Sequence, residues 1–417
     1  MKKFVYRIVT SALLAGFISV ALQATEETSH RVINTDDLLA LKSVSGPQIS
    51  PDGEWIAYVV DSVDVEADDS SSQIYMVSID GNEVIQLTAD SYSAGSPKWS
   101  PDNRYLGFIA AKGEDAEAKS QVWILDRRGG DSRQYTHVDQ GVKDFSWSPD
   151  GQKMLLLIRD KTASELAAEN TEGEPKPLPY VIDRLQFKRD GVPYLDRSRT
   201  HLYLWNGQDE PPLQLTFGDF DDGQPAWSPD SREIAFTSNR TDEPDGNSNS
   251  DIWIVSAEST HSSRELRKIT SNEGYDGSPA WSHDGKYITY VTVIEPDLIW
   301  YASNHLAIAS ANGGAERVLT EALDRNVRAP VFASDDQSII FSLEDSAERH
   351  LARFNLDTGV IERLVDGNVS IWSFAQHHSG ELVFEMSMPH LPTELFYFDG
   401  STVRQLTRTN EELLNTL

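Results

Sequence analysis

The chain has 417 residues, enough for one large core or for several domains. It contains no Cys, which excludes disulfides, thiolate metal sites and Cys nucleophiles. Its net charge of −30 describes a surface that repels nucleic acid and anionic membrane.

The N-terminus reads as an export signal. Lys2, Lys3 and Arg7 form a basic region ahead of an apolar run from Ile8 to Leu22. Ser19 and Ala21 fit a small-residue cleavage site, with a cut after Ala24 as the other option. An apolar run of about fifteen residues is short for a membrane span, which needs about 20. Residues 1–21 are therefore expected to be a signal peptide, and the mature chain a soluble periplasmic or secreted protein of net charge about −33 with no membrane partner. Residues 22–46 follow as an N-terminal segment with a short helix.

From residue 47 a phrase recurs: Pro-x-Trp-Ser-Pro-Asp-Gly, an alternating apolar strand, an aromatic strand, then Leu-Thr or Ile-Thr. Its first parts begin at Pro47, Pro97, Phe145, Pro225, Pro279, Pro330 and Ile371, the last two being weaker copies. Ser-Pro-Asp-Gly is a type I turn, with Pro setting φ and Gly accepting the turn's end. The strands after it alternate, as in Ile234–Phe236 and Ile288–Tyr290. A second hairpin appears in Asp80-Gly81-Asn82 and Asn312-Gly313-Gly314. Each repeat thus supplies four short antiparallel strands. The expected fold is all-β, a seven-bladed propeller over 47–408. With four strands falling inside each repeat, packing alone would close the ring. Trp99, Trp147, Trp227 and Trp281 read as packing between blades rather than a ligand cage. The third repeat carries an insertion at about 160–200, and its segment Pro175–Tyr180 should be extended.

Catalytic motifs are absent from this sequence. There is no Gly-x-Ser-x-Gly; Gly130-Asp131-Ser132-Arg133-Gln134 lacks the second Gly and falls in a hairpin turn. There is no phosphate loop and no His-Glu-x-x-His. The ten His are dispersed, and the neighbours His377 and His378 should point to opposite faces of a strand. Asp219, Asp221 and Asp222 lack the alternation of a calcium loop and read as a solvated acidic loop. No catalytic residue, metal site or cofactor is assigned, and no binding residue can be named.

These repeats resemble those of TolB-like propellers and of the propeller domain in prolyl oligopeptidase-type serine peptidases. Residues 180–205 and 215–240, together with 35–60 and 322–330, resemble the acylaminoacyl-peptidase branch. In that family the propeller precedes a hydrolase domain with a Ser, Asp and His triad. The resemblance implies that 409–417 begins the connection to such a domain, and no triad residue can be carried over. It further implies a propeller that restricts entry to short peptides and helps to recognise their N-terminal end. Short peptides, or a hydrolase or other protein partner, are the expected ligands. An exposed apolar face including Leu413, Leu414 and Leu417 should mark where a hydrolase docks. The alternatives are a standalone TolB-like binding propeller, and a propeller enzyme with His, Asp or Glu converging at its inner strands.

Overall fold

In a computed structural model, residues 31–113, 118–169, 179, 181–192, 194–207, 210–258 and 265–417 are described. The expected signal segment and nearly all of Pro175–Tyr180 lie outside them. The fold is all-β, built from four-stranded antiparallel sheets. The first five repeats each form one separate sheet, while the sixth and seventh share an eight-stranded sheet. In that sheet, 327–365 and 370–405 are joined by a single parallel pair, Arg349 with Ser370.

The first repeat shows the construction. Its strands are Ser43–Ile49, Trp55–Asp64, Asp69–Ser78 and Val84–Gln86, paired in that order. The Ser50–Gly53 turn closes with Gly53 N–H donating to the Ser50 carbonyl at 2.8 Å, and Gly53 sits at φ 73°. The Ser50 hydroxyl donates to Asp52 at 2.5 Å and accepts from the Trp55 N–H, so Ser and Asp splint the turn. The same closure recurs at Ser100, Ser148, Ser228 and Ser282. His377 and His378 differ from expectation. They occupy this turn in the seventh repeat, not a strand, and their ring centroids are 4.0 Å apart.

The Leu-Thr ending is a lock. Thr136 Oγ1 accepts the Val122 N–H at 2.9 Å and donates to Gln121 Oε1 at 2.8 Å, pinning the fourth strand to the start of the third. Thr88 does the same with Ile74 and Gln73, and Thr407 with Leu395 and Glu394. Thr136→Val strips a buried N–H of its acceptor, so a loss of about 1–3 kcal/mol is expected, read as a lower midpoint in urea unfolding.

Neighbouring repeats are joined by side chains. Trp99, Trp147 and Trp281 each donate an indole N–H to a carbonyl of the preceding repeat's inner strand: Gln48, Lys98 and Ala226, at 3.1, 3.2 and 3.1 Å. Trp227 reaches the Ser146 hydroxyl instead. The first and seventh repeats also meet through side chains, since among the described residues no strand pairs across them. Val44, Ile56 and Tyr58 pack with Val383, Leu395 and Leu406. Glu385 accepts the Gly46 N–H at 2.6 Å, and the His377 ring stands against Gly53.

Candidate docking face

Because the four strands of each repeat alternate in direction, two kinds of loop share one end of the fold. These are the loop between second and third strands and the crossover to the next repeat. The insertion, the first described residues and the last residues all lie at that end. Arg31 N–H donates to the Thr416 carbonyl at 3.1 Å. Asn410 holds the Lys42 backbone from both sides, at 2.9 and 2.8 Å.

Exposed apolar side chains concentrate there. Among the described large ones, only Val84, Tyr287, Val360 and Val403 belong to the opposite end. The rest lie on the N-terminal segment, the first hairpin, the insertion, crossovers or the loop Pro296–Tyr301, apart from Trp372 near the start of the inner strand Ser370–Gln376. That loop presents Trp300 at 94% and Tyr301 at 91% exposure. It does so with Ile299 at φ 53° and ψ −115°, a strained conformation for a β-branched residue. On the insertion, at the same end of the fold, Val181, Ile182, Leu185 and Tyr194 are exposed as well. Leu413, Leu414 and Leu417, expected in this face, are only half-buried rather than open, because the tail folds as a short helix Glu411–Leu414.

The insertion is clamped by charge. Arg184 grips Asp245 of the fourth repeat through two nitrogens at 2.8 and 2.5 Å, with both side chains largely buried. Arg197 spans Asp183 and Asp219, and Arg199 spans Asp219 and Asp221. The insertion therefore packs onto its neighbour's loops as well as its own repeat.

These pairs revise the reading of the acidic loop. Asp219 and Asp221 are half-exposed but neutralised by arginine, and Arg199 beside Asp219 holds its carboxyl below the usual range against the cost of burial. Asp222 is not solvated at all. It is fully buried, accepting from Arg240 at 2.6 Å and pairing with His201 Nδ1 at 3.0 Å. Dispersal of the histidines also conceals an order. His201, His305 and His350 hold one structural position in the first half of a third strand, shared by Gln73, Gln121, Asp251 and Glu394. In several repeats that residue lies fifteen before the locking Thr, a spacing the sequence carries. They meet polar partners at the joints between sheets. Among the described residues no three His, Asp or Glu gather as a metal set.

This architecture is that of a β-propeller, and solved structures agree in fold. Acylaminoacyl peptidase from Pyrococcus horikoshii superposes with a TM-score of 0.70 at 15% identity, covering 90% of this chain and 54% of that one. The propeller domain of the Trilobed protease from Pyrococcus furiosus, described as having an open velcro topology, gives 0.61 at 17% identity over 88% of this chain and 99% of that domain. The chain belongs to the TolB β-propeller (PD40) family, whose model matches residues 28–178 and 194–376. Among curated relatives, dipeptidyl-peptidase 5 of Porphyromonas gingivalis is 24% identical over 100% of this chain and 61% of its own length. An uncharacterized peptidase, YuxL of Bacillus subtilis, is 30% identical over 54% of this chain and 34% of its own length. The chain thus spans less than two thirds of the peptidases it matches. No described helix is long and apolar enough to cross a membrane.

Proposed function

We propose that this chain is the non-catalytic propeller of an exported prolyl oligopeptidase-like peptidase, covering a hydrolase and admitting short peptides to it. Counting the eight-stranded sheet as two blades makes it seven-bladed. The observation that carries this reading is the one-sided distribution of apolar side chains. A face that gathers fully exposed Trp300 and Tyr301 with Leu185 and Ile182 at one end of the fold suits a partner, because large apolar side chains left exposed on one side of a molecule mark interaction sites. Alignment of the whole chain with 61% of dipeptidyl-peptidase 5 and the basic, apolar N-terminus support peptidase kinship and export. The alternative is a standalone TolB-like binding propeller, favoured by a 28% identical stretch shared with the Tol-Pal system protein TolB of Alcanivorax borkumensis over 26% of this chain. It accounts less well for the apolar face.

Two measurements test this reading, and the second separates it from the alternative. Purified protein should neither turn over short acylated or free-amine peptides nor label with a fluorophosphonate probe. It should bind a hydrophobic dye, and Leu185→Ser with Trp300→Ser should reduce that signal without lowering Tm. Turnover with labelling would end the non-catalytic reading. A chain that binds no dye would favour the standalone propeller.

A further inference from the structure

The joint between the third and fourth repeats sets His201, the second residue of a third strand, against Asp222 at the start of the next inner strand. A ring nitrogen meets a carboxylate at 3.0 Å. One repeat further on, the same two positions hold Asp251 and Asp276, both of them acceptors. Asp251 is 2% exposed and Asp276 0%. The Asp276 N–H donates to the Ser250 carbonyl at 2.8 Å, which brings the two residues together. Asp251 Oδ2 takes the Lys268 ammonium at 2.8 Å, and Asp276 Oδ1 takes the Asn272 amide at 2.5 Å. That leaves Asp251 Oδ1 and Asp276 Oδ2 buried with no donor. The Thr292 hydroxyl, which accepts the Asn272 amide, lies within hydrogen-bonding reach of Asp276, and the Thr270 hydroxyl lies within reach of both carboxyls. Its oxygen already accepts the Ile252 N–H, and its one proton can serve only one of them.

We propose that Asp251 and Asp276 share one proton, making the seam between the fourth and fifth repeats a latch that is closed while a carboxyl O–H bridges the two orphan oxygens. Two like charges buried together, each with one oxygen lacking a donor, would be costly, and a single proton removes one charge and bridges the two oxygens.

The surroundings agree. Burial pushes the Asp276 carboxyl up to about 7, with the charges of Glu316 and Asp251 adding to it. Burial raises Asp251 as well, against the pull of Lys268. Tyr290 faces the pair from the next strand with its hydroxyl on Glu316. His305, paired with Thr292 in the same row, has its Nδ1 on the Thr320 carbonyl. Among the described residues, Lys268 is the one that brings a positive charge to the pair itself.

The sign follows from the raised value. A carboxyl that keeps its proton longer when folded than when unfolded loses stability for the fold as pH rises from about 4, and the loss levels off above about 7. Tm of the whole chain should therefore fall between about pH 5 and about pH 8. Asp276→Asn keeps the Oδ1 acceptor and offers an N–H to Asp251. Its Tm advantage over wild type should grow across that range to several degrees and then level off. Asp251→Asn gives the same divergence and serves if the first variant does not fold. Parallel pH curves for wild type and variant would overturn the latch. So would a rise in wild-type Tm on adding calcium or sodium chloride at about pH 8 that neither variant shows, because the orphan oxygens would then hold a cation.

Discussion

Asp222→Ala is expected to destabilise the fold by about 3–5 kcal/mol, seen as a lower guanidinium midpoint. The side chain is fully buried, and each carboxylate oxygen has one partner, Arg240 and His201. Arg240 is itself 10% exposed, and its guanidinium lies 5.1–5.7 Å from the ring centroids of Phe220, Phe236 and Trp253. The rings and the distant Phe217 carbonyl cannot replace a carboxylate, and Arg240 Nε already has no acceptor. Removing Asp222 thus strands a cation in the seam. Asp222→Asn, which keeps one acceptor, should cost less. Adding Arg240→Met to Asp222→Ala should recover much of the loss, because the unpaired charge goes with it. A double variant no more stable than the single would mean that the lost packing, and not the stranded charge, sets the cost.

The same seam marks the limit of reading this chain from its sequence. Blade-like units were legible because each carries its own local chemistry. Ser50, Asp52 and Gly53 splint a turn within four residues, and Thr136 locks to Gln121 at a fixed offset. Joints are another matter. His201 and Asp222 are 21 residues apart in different sheets, and Arg184 and Asp245 are 61 apart. Nothing local distinguishes buried Asp222 from half-exposed Asp221 beside it. Period-2 alternation puts adjacent residues on opposite sides but does not say which side is closed by the next sheet. His377 and His378 were misplaced for a related reason. The seventh repeat lacks the Ser-Pro-Asp wording, and its turn is marked instead by the Gly380 N–H donating to the His377 carbonyl. The apolar face was expected from resemblance alone. Its composition, with Trp300 and Tyr301 lifted on a strained Ile299, has no periodic signature, since a loop exposing aromatics looks in sequence like one that buries them.

Trp99→Ala should cost about 3–5 kcal/mol, and Trp99→Phe only about 1–2 kcal/mol. The indole is 9% exposed, packed among Ala57, Ile74, Leu106 and Phe108, so it fills the seam between the first two repeats. Its N–H also holds the Gln48 carbonyl of the neighbouring inner strand at 3.1 Å. The two substitutions separate these roles. Phe keeps most of the ring and loses only the indole bond to the Gln48 carbonyl; Ala opens a cavity the adjoining sheets cannot fill without sliding together. The sixth repeat already carries Phe332 at this position, and the first carries Ile49. Packing without the indole hydrogen bond is therefore compatible with the joint. If Phe proved as damaging as Ala, the indole hydrogen bond would outweigh packing, and the sixth repeat would need another polar tie to do the same work. The ordering expected here, Ala far below Phe and Phe slightly below wild type, follows from a seam held chiefly by buried ring area.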